Sequence, residues 1–558
     1  MKMDKIHHKI DIVLGIVAMF LICLLTNCES PKLVERPSYE KPKSIIQLDT
    51  TRLLVSEVVR DLDEPWEVTW GADDHLWFTE KKGNIMRMNP TTGQVKKVLN
   101  IPEVYSEGLT PGLLGMVLHP DFKNESFVYM HYTYIDSALT GELDRSGNPN
   151  FVRSKLVRYK YSSQEDTLIN PEPLLAEIPG FRAHNGSRLA ISYDNKLIFA
   201  IGDVADFRNA QTELTLPGKV LRLNLDGSVP DDNPIPGNYF YSMGHRNPQG
   251  LVSANGKIYS SEHGPNNDDE INLIKPGGNY GWPFVEGFCD KENELAFCDS
   301  VTVNEPIYDW TPTIAPAGLD FYNHSAIPEW KNNLMLTTLK GQALWLFELD
   351  ASGEKIVNKR IYLQEKFGRL RDLCVSSSGD VYLITSNTDW NVSRYKWLYD
   401  GAPKDGNDRI LKISVLQDEE EKKFDHLKTS TEANEPIKML VQYGHGGNAF
   451  TRQAILYRDN CASCHLPEGE GIPNFTPPLI GTATVADKKK LIETALFGMS
   501  GKIVVKGKNY DEVMPGFAAS LTNQELKDIL NYVRMVHNKL TDSITTTEIE
   551  EIRKSRTF

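Results

Sequence analysis

"DNKLIFAIGD", residues 194–203, is the stretch of sequence that decides the fold. It is a polar turn followed by a bulky apolar run and a glycine, which is typical of a β-strand that ends in a turn. The unit recurs as "DDHLWFTE" from Asp73, "NESFVYMHY" from Asn124, "NGKIYSSEHG" from Asn255, "KNNLMLTTLKG" from Lys331 and "SGDVYLITSN" from Ser378. The copies are roughly 60 residues apart on average, which is the length that a four-stranded sheet and its loops require. Residues 51–416 are therefore predicted to form an all-β six-bladed β-propeller. A β-sandwich pair is the alternative, and the lack of a helical pattern favours the propeller.

The character of the sequence changes at Gln417. Residues 417–440 begin "QDEEEKKFDHLKTSTEANEP", which is highly charged, poor in large apolar residues and typical of a linker. The pattern then becomes helical, so residues 441–540 are predicted to form a small all-α domain, with a tail over residues 541–558. The last helix of that domain begins with a capping box, formed by Thr522 and Glu525.

The N-terminus, residues 1–28, has the organisation of a targeting signal. Lysines precede an apolar run of about 14 residues, which is too short for a comfortable membrane span. The run ends in "LLTNC" and resembles a bacterial lipoprotein signal, in which Cys28 becomes the lipidated first residue. Asn27 departs from the usual small residue before that cysteine, and an uncleaved membrane anchor is the alternative. Both interpretations predict an exported, periplasmic protein held at the membrane, with residues 29–50 as a polar tether.

Net charge and cysteine usage limit the function classes. The formal net charge of −14 argues against nucleic acid as a partner, because there is no basic surplus to neutralise phosphates. Cys289 and Cys298 are nine positions apart in a polar stretch, so they form either a loop disulfide in an oxidising compartment or two free thiols. Cys374 lies in an apolar run and is predicted to be a small buried hydrophobe.

"CASCH", residues 461–465, is the strongest motif in the chain. Cys461, Cys464 and His465 have the C-x-x-C-H spacing of c-type haem attachment, in which the thiols bond the porphyrin edge and the histidine binds the iron. Zinc would need a second pair of ligands, and a thioredoxin-like pair would need a βαβ setting. Met514, in "VMPGF", is the predicted sixth ligand; the alternatives are that Met499 is the ligand or that Met514 is only packed. The region from Gly447 to Val536 resembles class I cytochromes c.

Polar clusters interrupt the apolar strand pattern of the predicted propeller. The most specific are "RAHNGSRL" from Arg182, "GHRNPQG" from Gly244 and "GPNNDDEINLIKPGGNYGWP" from Gly264. This combination, from about Val58 to Lys412, resembles the soluble PQQ-dependent glucose dehydrogenases and their aldose and sorbosone dehydrogenase relatives. The resemblance implies a six-bladed propeller with a PQQ cofactor on its axis and bound calcium.

The resemblance also implies roles for individual residues. His184 matches the catalytic base and Asp203 the partner that orients it. The positions that match cofactor contacts are Arg246, Asn247, Tyr308, Thr313, Lys340, Arg369 and Arg371. Main-chain carbonyls of Gly264 and Pro265 match the calcium ligands beside the quinone, and Asp269, Glu270 and the carbonyl of Tyr280 match a second calcium site. For that second site, an acidic solvated loop is the alternative.

Two positions depart from the pattern of the soluble glucose enzymes. Ala183 stands where they have an acidic residue, and Thr110 stands where they have a glutamine. We therefore expect an exported quinohaemoprotein dehydrogenase for aldoses, without glucose specificity. Its electrons are expected to pass from PQQ to the fused haem c and on to a cytochrome or a membrane respiratory component. The alternatives are a non-sugar alcohol or aldehyde as substrate, or a non-catalytic carbohydrate-binding propeller.

Overall fold

The computed structural model of the protein describes residues 37–107, 110–136, 152–181, 183–265, 267–311, 313–389, 407–433, 453, 456–457, 460–466, 468–471, 476–511, 514, 516–518 and 521–555. The predicted signal, with Cys28, lies outside these ranges. No helix within them is both long and apolar enough to cross a membrane.

Six antiparallel sheets follow one another along the chain after an entry hairpin, β1 (Lys41–Gln47) and β2 (Arg52–Leu62). Blade 1 contains β3 (Pro65–Trp70), β4 (Leu76–Glu80), β5 (Asn84–Met88) and β6 (Val95–Asn100). Blade 2 contains β7 (Leu113–Leu118), β8 (Phe127–Ile135), β9 (Val152–Ser162) and β10 (Thr167–Pro179). Blade 3 contains β11 (Arg188–Ile191), β12 (Leu197–Ile201), β13 (Lys219–Leu223) and β14 (Phe240–Met243).

The second half repeats the arrangement. Blade 4 contains β15 (Pro248–Ala254), β16 (Lys257–Glu262), β17 (Asp269–Ile274) and β19 (Tyr308–Trp310). Before β19, the chain forms β18 (Gly278–Asn279), which pairs with β14, and helix α1 (Glu292–Cys298). Blade 5 contains β20 (Pro316–Tyr322), β21 (Asn333–Thr338), β22 (Leu344–Leu349) and β23 (Ile356–Tyr362), and blade 6 begins with β24 (Leu370–Val375), β25 (Val381–Thr385) and β26 (Asp408–Val415). Short 3-10 turns cover Phe207–Gln211, Pro328–Trp330 and Asp418–Glu420.

Blade 6 closes the ring with strands from both ends of the propeller. β2 pairs antiparallel with β26, so the N-terminal segment supplies the fourth strand of the last blade. The first strands of successive blades, β3, β7, β11, β15, β20 and β24, contact one another in order, and β24 returns to β3. The predicted six-bladed β-propeller is therefore confirmed.

All six copies of the repeated unit form the second strand of a blade. They are β4, β8, β12, β16, β21 and β25, each paired on one side with the first strand. Their bulky residues fill the layers between blades, as Trp77 does between blades 1 and 2 and Leu336 between blades 4 and 5. Burying one such side chain contributes roughly 1.5–3 kcal/mol, and this explains why the unit recurs.

Part of the predicted tether and part of the predicted linker belong to the propeller instead. Ile45 and Ile46 on β1 are fully buried, because β1 pairs with β2 as an additional strand of blade 6. After α2 (Glu421–Phe424), the short strand β27 (Thr429–Ser430) pairs in parallel with β1. Phe424 is buried against Leu54, so the apolar residues of these segments hold their charged neighbours on the propeller.

The C-terminal region has its own core. It contains α3 (Ala462–His465), α4 (Ala483–Ala486), α5 (Lys488–Phe497), α6 (Asn523–Asn531) with a π-helical extension over Tyr532–His537, and α7 (Thr546–Ser555). The capping box of Thr522 and Glu525 is confirmed. The domain is not purely helical, because β28 (Ile503–Val505) and β29 (Lys508–Tyr510) form a hairpin.

The residues predicted as a C-terminal tail are part of this domain. Ile544 and Ile549 are buried in its core with Leu526. Arg553 on α7 also donates a hydrogen bond to the carbonyl of Leu521, at 2.8 Å. The periodic apolar positions of the last segment therefore indicate a packed helix.

Candidate functional site

Strand direction gathers the predicted site residues at one face of the propeller. The first and second strands of each blade are antiparallel, so the start of the first and the end of the second lie together. His184, Arg246 and Thr313 precede the first strands of blades 3, 4 and 5. The ends of the second strands are followed by Asp203, His263, Lys340 and Asp389 in blades 3 to 6.

His184 and Asp203 form the hydrogen-bonded pair that the sequence predicts. Nδ1 of His184 lies 2.8 Å from Oδ1 of Asp203, and Nε1 of Trp282 donates to Oδ2 of the same carboxylate at 2.8 Å. Burial and then the charge of Arg246 lower the pKa of His184, although the carboxylate opposes them. The imidazole is thus neutral near pH 7, and with its proton on Nδ1 toward Asp203 it presents Nε2 as a base.

The main chain around this pair is tightly braced. His184 has φ of 55°, a left-handed conformation that is costly for a residue other than glycine. The amide of Val204 donates to the carbonyl of His184 at 3.1 Å, and that of Asp203 to the carbonyl of Arg246 at 2.8 Å. A Cβ at Gly202 would stand 2.1 Å from the His184 carbonyl oxygen, so only glycine allows this approach.

Arg246 supplies a partly buried cation beside the pair. Its Nη1 donates to the carbonyl of His263 at 3.2 Å, and its guanidinium lies 5.3 Å from the ring centre of Trp282. Within the described part of the chain its buried Nε has no hydrogen-bond partner, and this fits an anionic ligand such as the tricarboxylate PQQ. Asn247 braces the histidine loop, because its Oδ1 accepts from the amide of Gly186 at 3.2 Å.

The remaining predicted cations lie on blades 5 and 6. Arg369 and Arg371 both donate to the carboxylate of Asp389, at 3.3 and 2.6 Å. Burial opposes ionisation of Asp389, but the two guanidiniums lower its pKa. Lys340 donates to Oγ1 of Thr313 at 2.9 Å. Arg369, Arg371 and Lys340 therefore supply three positive charges, of which Asp389 balances one, and the net positive charge suits an anionic cofactor.

Tyr308 is predicted to contact the cofactor, and the structure places it on an outer strand. It lies on β19, the outermost strand of blade 4, where its ring packs against Trp310 and Phe347. Its hydroxyl accepts a hydrogen bond from Nζ of Lys359 on β23, at 3.0 Å. Thr313, five positions later, has different surroundings, because its Oγ1 accepts a hydrogen bond from Lys340.

An acidic cavity adjoins the site. Glu262, Glu270, Glu286, Asp268, Gly264, Pro265 and Tyr280 are among its lining residues. Burial and then the charge of Glu262 raise the pKa of Glu270 to about 8, and burial raises that of Glu286 to about 7. Within the described ranges no three carboxylate, histidine or cysteine side chains converge to chelate an ion, so main-chain carbonyls would have to contribute. Buried carboxylates with raised pKa values fit a hard cation such as calcium.

Asp269 has a different role from the one predicted. Its Oδ1 accepts from the amide of Gly264 at 2.9 Å, and its Oδ2 accepts from the amides of Ile314 and Ala315 at 2.6 and 2.7 Å. Neighbouring side chains on a strand point to opposite faces, so Asp269 cannot join Glu270 in the cavity. Its carboxylate holds the loop that presents Gly264.

Thr110 and Ala183, the two positions that differ from the soluble glucose enzymes, have different surroundings. Thr110 lies beside the histidine loop, where its Oγ1 accepts from Nδ2 of Asn185 at 2.8 Å. Ala183 directly precedes His184 and brings no charge to it. Both substitutions thus replace side chains next to the base, not residues of the base itself.

The C-x-x-C-H motif forms α3 and the residue before it. Cys461 and Cys464 are thiols outside any disulfide, and burial raises the pKa of Cys461 to about 12. Nδ1 of His465 lies 2.9 Å from the carbonyl of Pro477, so Nε2 is directed away for a metal. Met514 packs on the domain core and pairs through its main chain with Met499, at 2.9 Å in both directions. The residues present fit a haem c.

The other cysteines are accounted for. Cys289 and Cys298 form a disulfide that brackets α1, which settles the choice between a bridge and two thiols. Cys374 is buried, as predicted.

Three residues of the site were not predicted from the sequence: Trp282, Glu262 and Asp389. The first two stand at strand or turn ends inside quoted motifs, and that position was the available signal.

Comparison with known proteins agrees with this architecture. The glucose/sorbosone dehydrogenase model matches residues 62–394, and the cytochrome c model matches residues 453–537. Quinoprotein glucose dehydrogenase B of Acinetobacter calcoaceticus is 33% identical over 418 residues, 60% of this chain and 86% of that protein. The PQQ-bound aldose sugar dehydrogenase of Streptomyces coelicolor superposes with a TM-score of 0.54 at 29% identity, covering 65% of this chain and 98% of that one.

The C-terminal region has relatives of its own. Cytochrome c-552 of Thermus thermophilus is 40% identical over 78 residues, 13% of this chain and 59% of that protein. The family match to the propeller covers more than half of the chain. The chain belongs to the glucose/sorbosone dehydrogenase family and carries a cytochrome c domain behind its six-bladed propeller.

Proposed function

We propose that this protein is a quinohaemoprotein dehydrogenase that oxidises the C1 hydroxyl of an aldose to the lactone. PQQ is the proposed electron acceptor in the propeller, and the haem c of the same chain is the proposed exit for the electrons. The observation that carries the proposal is the neutral His184, oriented by Asp203 beside Arg246, whose Nε has no hydrogen-bond partner among the described residues. The PQQ-bound relative and the glucose dehydrogenase relative support the choice of cofactor and substrate class.

The chain's residues divide the work of the reaction. Nε2 of His184 takes the proton of the sugar hydroxyl, and Asp203 holds the imidazole in the required tautomer while it stabilises the imidazolium. Trp282 fixes the far oxygen of that carboxylate. PQQ, when bound, supplies the quinone that takes up the C1 hydrogen with its electron pair. Arg246, Arg369, Arg371 and Lys340 hold the cofactor's carboxylates, with Asn247 and Thr313 as neutral supports.

Calcium is proposed at two places. The carbonyls of Gly264 and Pro265 would hold one ion beside the quinone, in the loop that Asp269 fixes. Glu270 and the carbonyl of Tyr280 would hold a second, in the acidic cavity, with Glu286 nearby. The raised pKa values of Glu270 and Glu286 support this, because a cation relieves the cost of ionising buried carboxylates.

The proposed location is the periplasmic side of a membrane, with Cys28 as the lipid attachment point. The disulfide between Cys289 and Cys298 supports export, because such bonds persist in oxidising compartments. The haem would pass its electrons to a cytochrome or a membrane respiratory component. Fusion of the two domains gives the second transfer a high effective concentration.

A reconstitution experiment tests the function. The haem-loaded protein is supplied with calcium and PQQ, then with a panel of aldoses and simple alcohols, while the absorbance of reduced haem is recorded. We expect aldoses to reduce the haem only when PQQ is present. Reduction by alcohols and not by any aldose would overturn the substrate class, and failure to bind PQQ would overturn the proposal as a whole.

A further inference from the structure

Four large apolar side chains are exposed beside the candidate active site. Phe207, Leu214, Phe284 and Leu295 are 55%, 93%, 48% and 47% exposed, and we name them the apolar rim. Scattered apolar residues are normal on a protein surface, but a group on adjoining loops indicates an interaction site. The rim occupies two loops, residues 204–217 of blade 3 and the segment from Trp282 to Cys298.

Hydrogen bonds join both loops to each other and to the catalytic pair. Nε2 of Gln211 donates to the carbonyl of Trp282 at 2.7 Å, and Nδ2 of Asn209 donates to the carbonyl of Asp203 at 3.1 Å. The ring of Phe284 stacks on Phe297 with centroids 4.7 Å apart, and Phe297 lies inside the segment that the disulfide closes. The rim is therefore a fixed surface next to His184 and Asp203.

Negative charge flanks the rim. Glu213 and Asp290 are exposed on the same two loops and Asp299 directly after the second, whereas the exposed Arg208 is paired with Asp206 at 2.6 Å. The propeller as a whole is acidic, since residues 51–416 contain 36 Lys or Arg and 49 Asp or Glu. A partner for this surface should bring positive charge around an apolar centre.

The cytochrome c domain presents such a surface. Residues 441–540 contain 11 Lys or Arg and 9 Asp or Glu. Lys502, Lys506 and Lys508 are all exposed on the β28–β29 hairpin, and Val504 between them is 69% exposed. The hairpin extends from the main-chain pair of Met499 and Met514, so it lies next to the predicted iron ligand.

We propose that the apolar rim is the docking surface for the β28–β29 hairpin of the same chain's cytochrome c domain. Val504 would contact the apolar rim, and the hairpin lysines would face Glu213, Asp290 and Asp299. Docking places the methionine side of the haem site against the loops that carry Trp282 and Asp203. The purpose of the contact, electron delivery, rests on the proposed function, but the contact itself is measurable without turnover.

Cross-linking tests the contact directly. The full-length holoprotein, mixed from ¹⁴N- and ¹⁵N-labelled batches, is treated with a carbodiimide that joins lysine amines to adjacent carboxylates, and the products are identified by mass spectrometry. We expect links within one chain from Lys502, Lys506 or Lys508 to Glu213, Asp290 or Asp299, and their loss at high salt because the charges are screened. No such links, or links only between chains, would overturn docking within the chain.

Charge reversal tests the consequence. Lys502→Glu, Lys506→Glu and Lys508→Glu together should slow sugar-driven haem reduction about tenfold or more at low ionic strength, because steering and register are lost. Activity with a small dye acceptor should not change. The matched control, Lys489→Glu with Lys490→Glu, alters exposed lysines on α5 of the same domain and should leave both rates unchanged.

The outcomes separate the two proposals. Unchanged haem reduction in the triple variant would overturn the docking surface while the dehydrogenase proposal stands. If no sugar reduces either dye or haem in the unaltered protein, the function fails, and the cross-links alone decide the docking surface.

Discussion

The two halves of the molecule build their candidate sites in opposite ways. The cytochrome c domain keeps its attachment residues within five consecutive positions, Cys461 to His465, on one short helix. The propeller assembles its site from the ends of strands in four blades, from His184 to Asp389. A local motif fixes chemistry by spacing alone, whereas a distributed site depends on which way each strand end points.

That difference determines how many other residues a single substitution disturbs. In the propeller, Asp203 bonds His184, Trp282 and a main-chain amide at once, so a change at one residue moves several. In the cytochrome domain, the thiols and the histidine depend mainly on a helical turn and on the bond from His465 to Pro477. The two sites should therefore fail independently of each other, and the following changes test that separation.

The largest effect should come from removing the base or the thiols. His184→Ala should lower the rate of sugar oxidation by about 10³-fold, because general base catalysis is lost. Haem content and reduction of the haem by dithionite should stay normal. Cys461→Ala with Cys464→Ala should show the converse, with covalent haem abolished and sugar oxidation with a dye acceptor retained.

Steady-state rates with a dye acceptor and the haem absorbance after denaturation measure the two functions. A His184→Ala protein that still reduces its haem with sugar at the normal rate would remove His184 from the mechanism. A thiol variant that loses dye-linked activity would show that the halves are not separable.

The next largest effect concerns the pH profile of sugar oxidation. Only neutral His184 acts as a base, so the rate should rise with pH through its lowered pKa and then reach a plateau. Asp203 raises the pKa of His184, so Asp203→Asn should shift the acidic limb to lower pH and reduce the plateau rate by about 10²-fold. Arg246 lowers that pKa, so Arg246→Gln should shift the limb to higher pH.

The direction of these shifts distinguishes positioning from folding. kcat/KM is measured from pH 5 to 9 for each variant, with the dye acceptor. Equal losses at every pH and unmoved limbs would indicate that Asp203 and Arg246 support the loop without acting on the imidazole.

Sequence patterns predicted the number of blades and located one strand of each, because a buried strand bounded by polar turns leaves a pattern that repeats along the chain. The contact between His184 and Asp203 was also predicted, and the structure shows it. The sequence misled at Asp269, since a run of adjacent acids does not reveal which one a strand turns toward the cavity. The sequence also does not show that Tyr308 bonds Lys359 on an outer strand, whereas Thr313 bonds Lys340.

The sequence also gave inaccurate bounds for the predicted tether and linker. Composition alone made residues 29–50 and 417–440 look like tether and linker, yet Ile46 and Phe424 are buried. Two or three apolar side chains within a charged segment suffice to pack it on a sheet edge. Such contacts arise from tertiary neighbours, which a pattern along the chain does not contain.

The third effect tests the acidic cavity through stability. Burial raises the pKa of Glu270 from 4.5 to about 8 in the folded protein. The contribution of this carboxyl to the free energy of unfolding is therefore fully present below pH 4.5, and it is lost as the pH rises through about 8. Bound calcium favours the ionised carboxylate. At 100-fold excess over its Kd, calcium should add about 3 kcal/mol to the free energy of unfolding. The difference between the free energies of unfolding with and without calcium should widen from pH 5 to pH 8.

Urea unfolding with calcium and with EDTA, at pH 5 and at pH 8, measures this difference in the free energy of unfolding. Glu270→Gln should remove most of the calcium response, whereas Glu213→Gln, an exposed control, should keep it. An equal calcium response at pH 5 and pH 8 would contradict a role for these carboxylates.

The smallest effect separates the motif match from the observed placement. Tyr308→Phe removes a hydroxyl that bonds Lys359 on an outer strand, so PQQ affinity and sugar oxidation should change less than about twofold, as expected for a substitution away from the site.

Lys340→Met is the matched comparison. It removes the cation that bonds Thr313, and losing a charged hydrogen bond of about 1.5–3 kcal/mol should weaken PQQ binding at least tenfold. Titration of the apoprotein with PQQ measures both. A Tyr308→Phe protein as impaired as the Lys340→Met protein would return Tyr308 to the cofactor site and show that the loop after β19 reaches further inward.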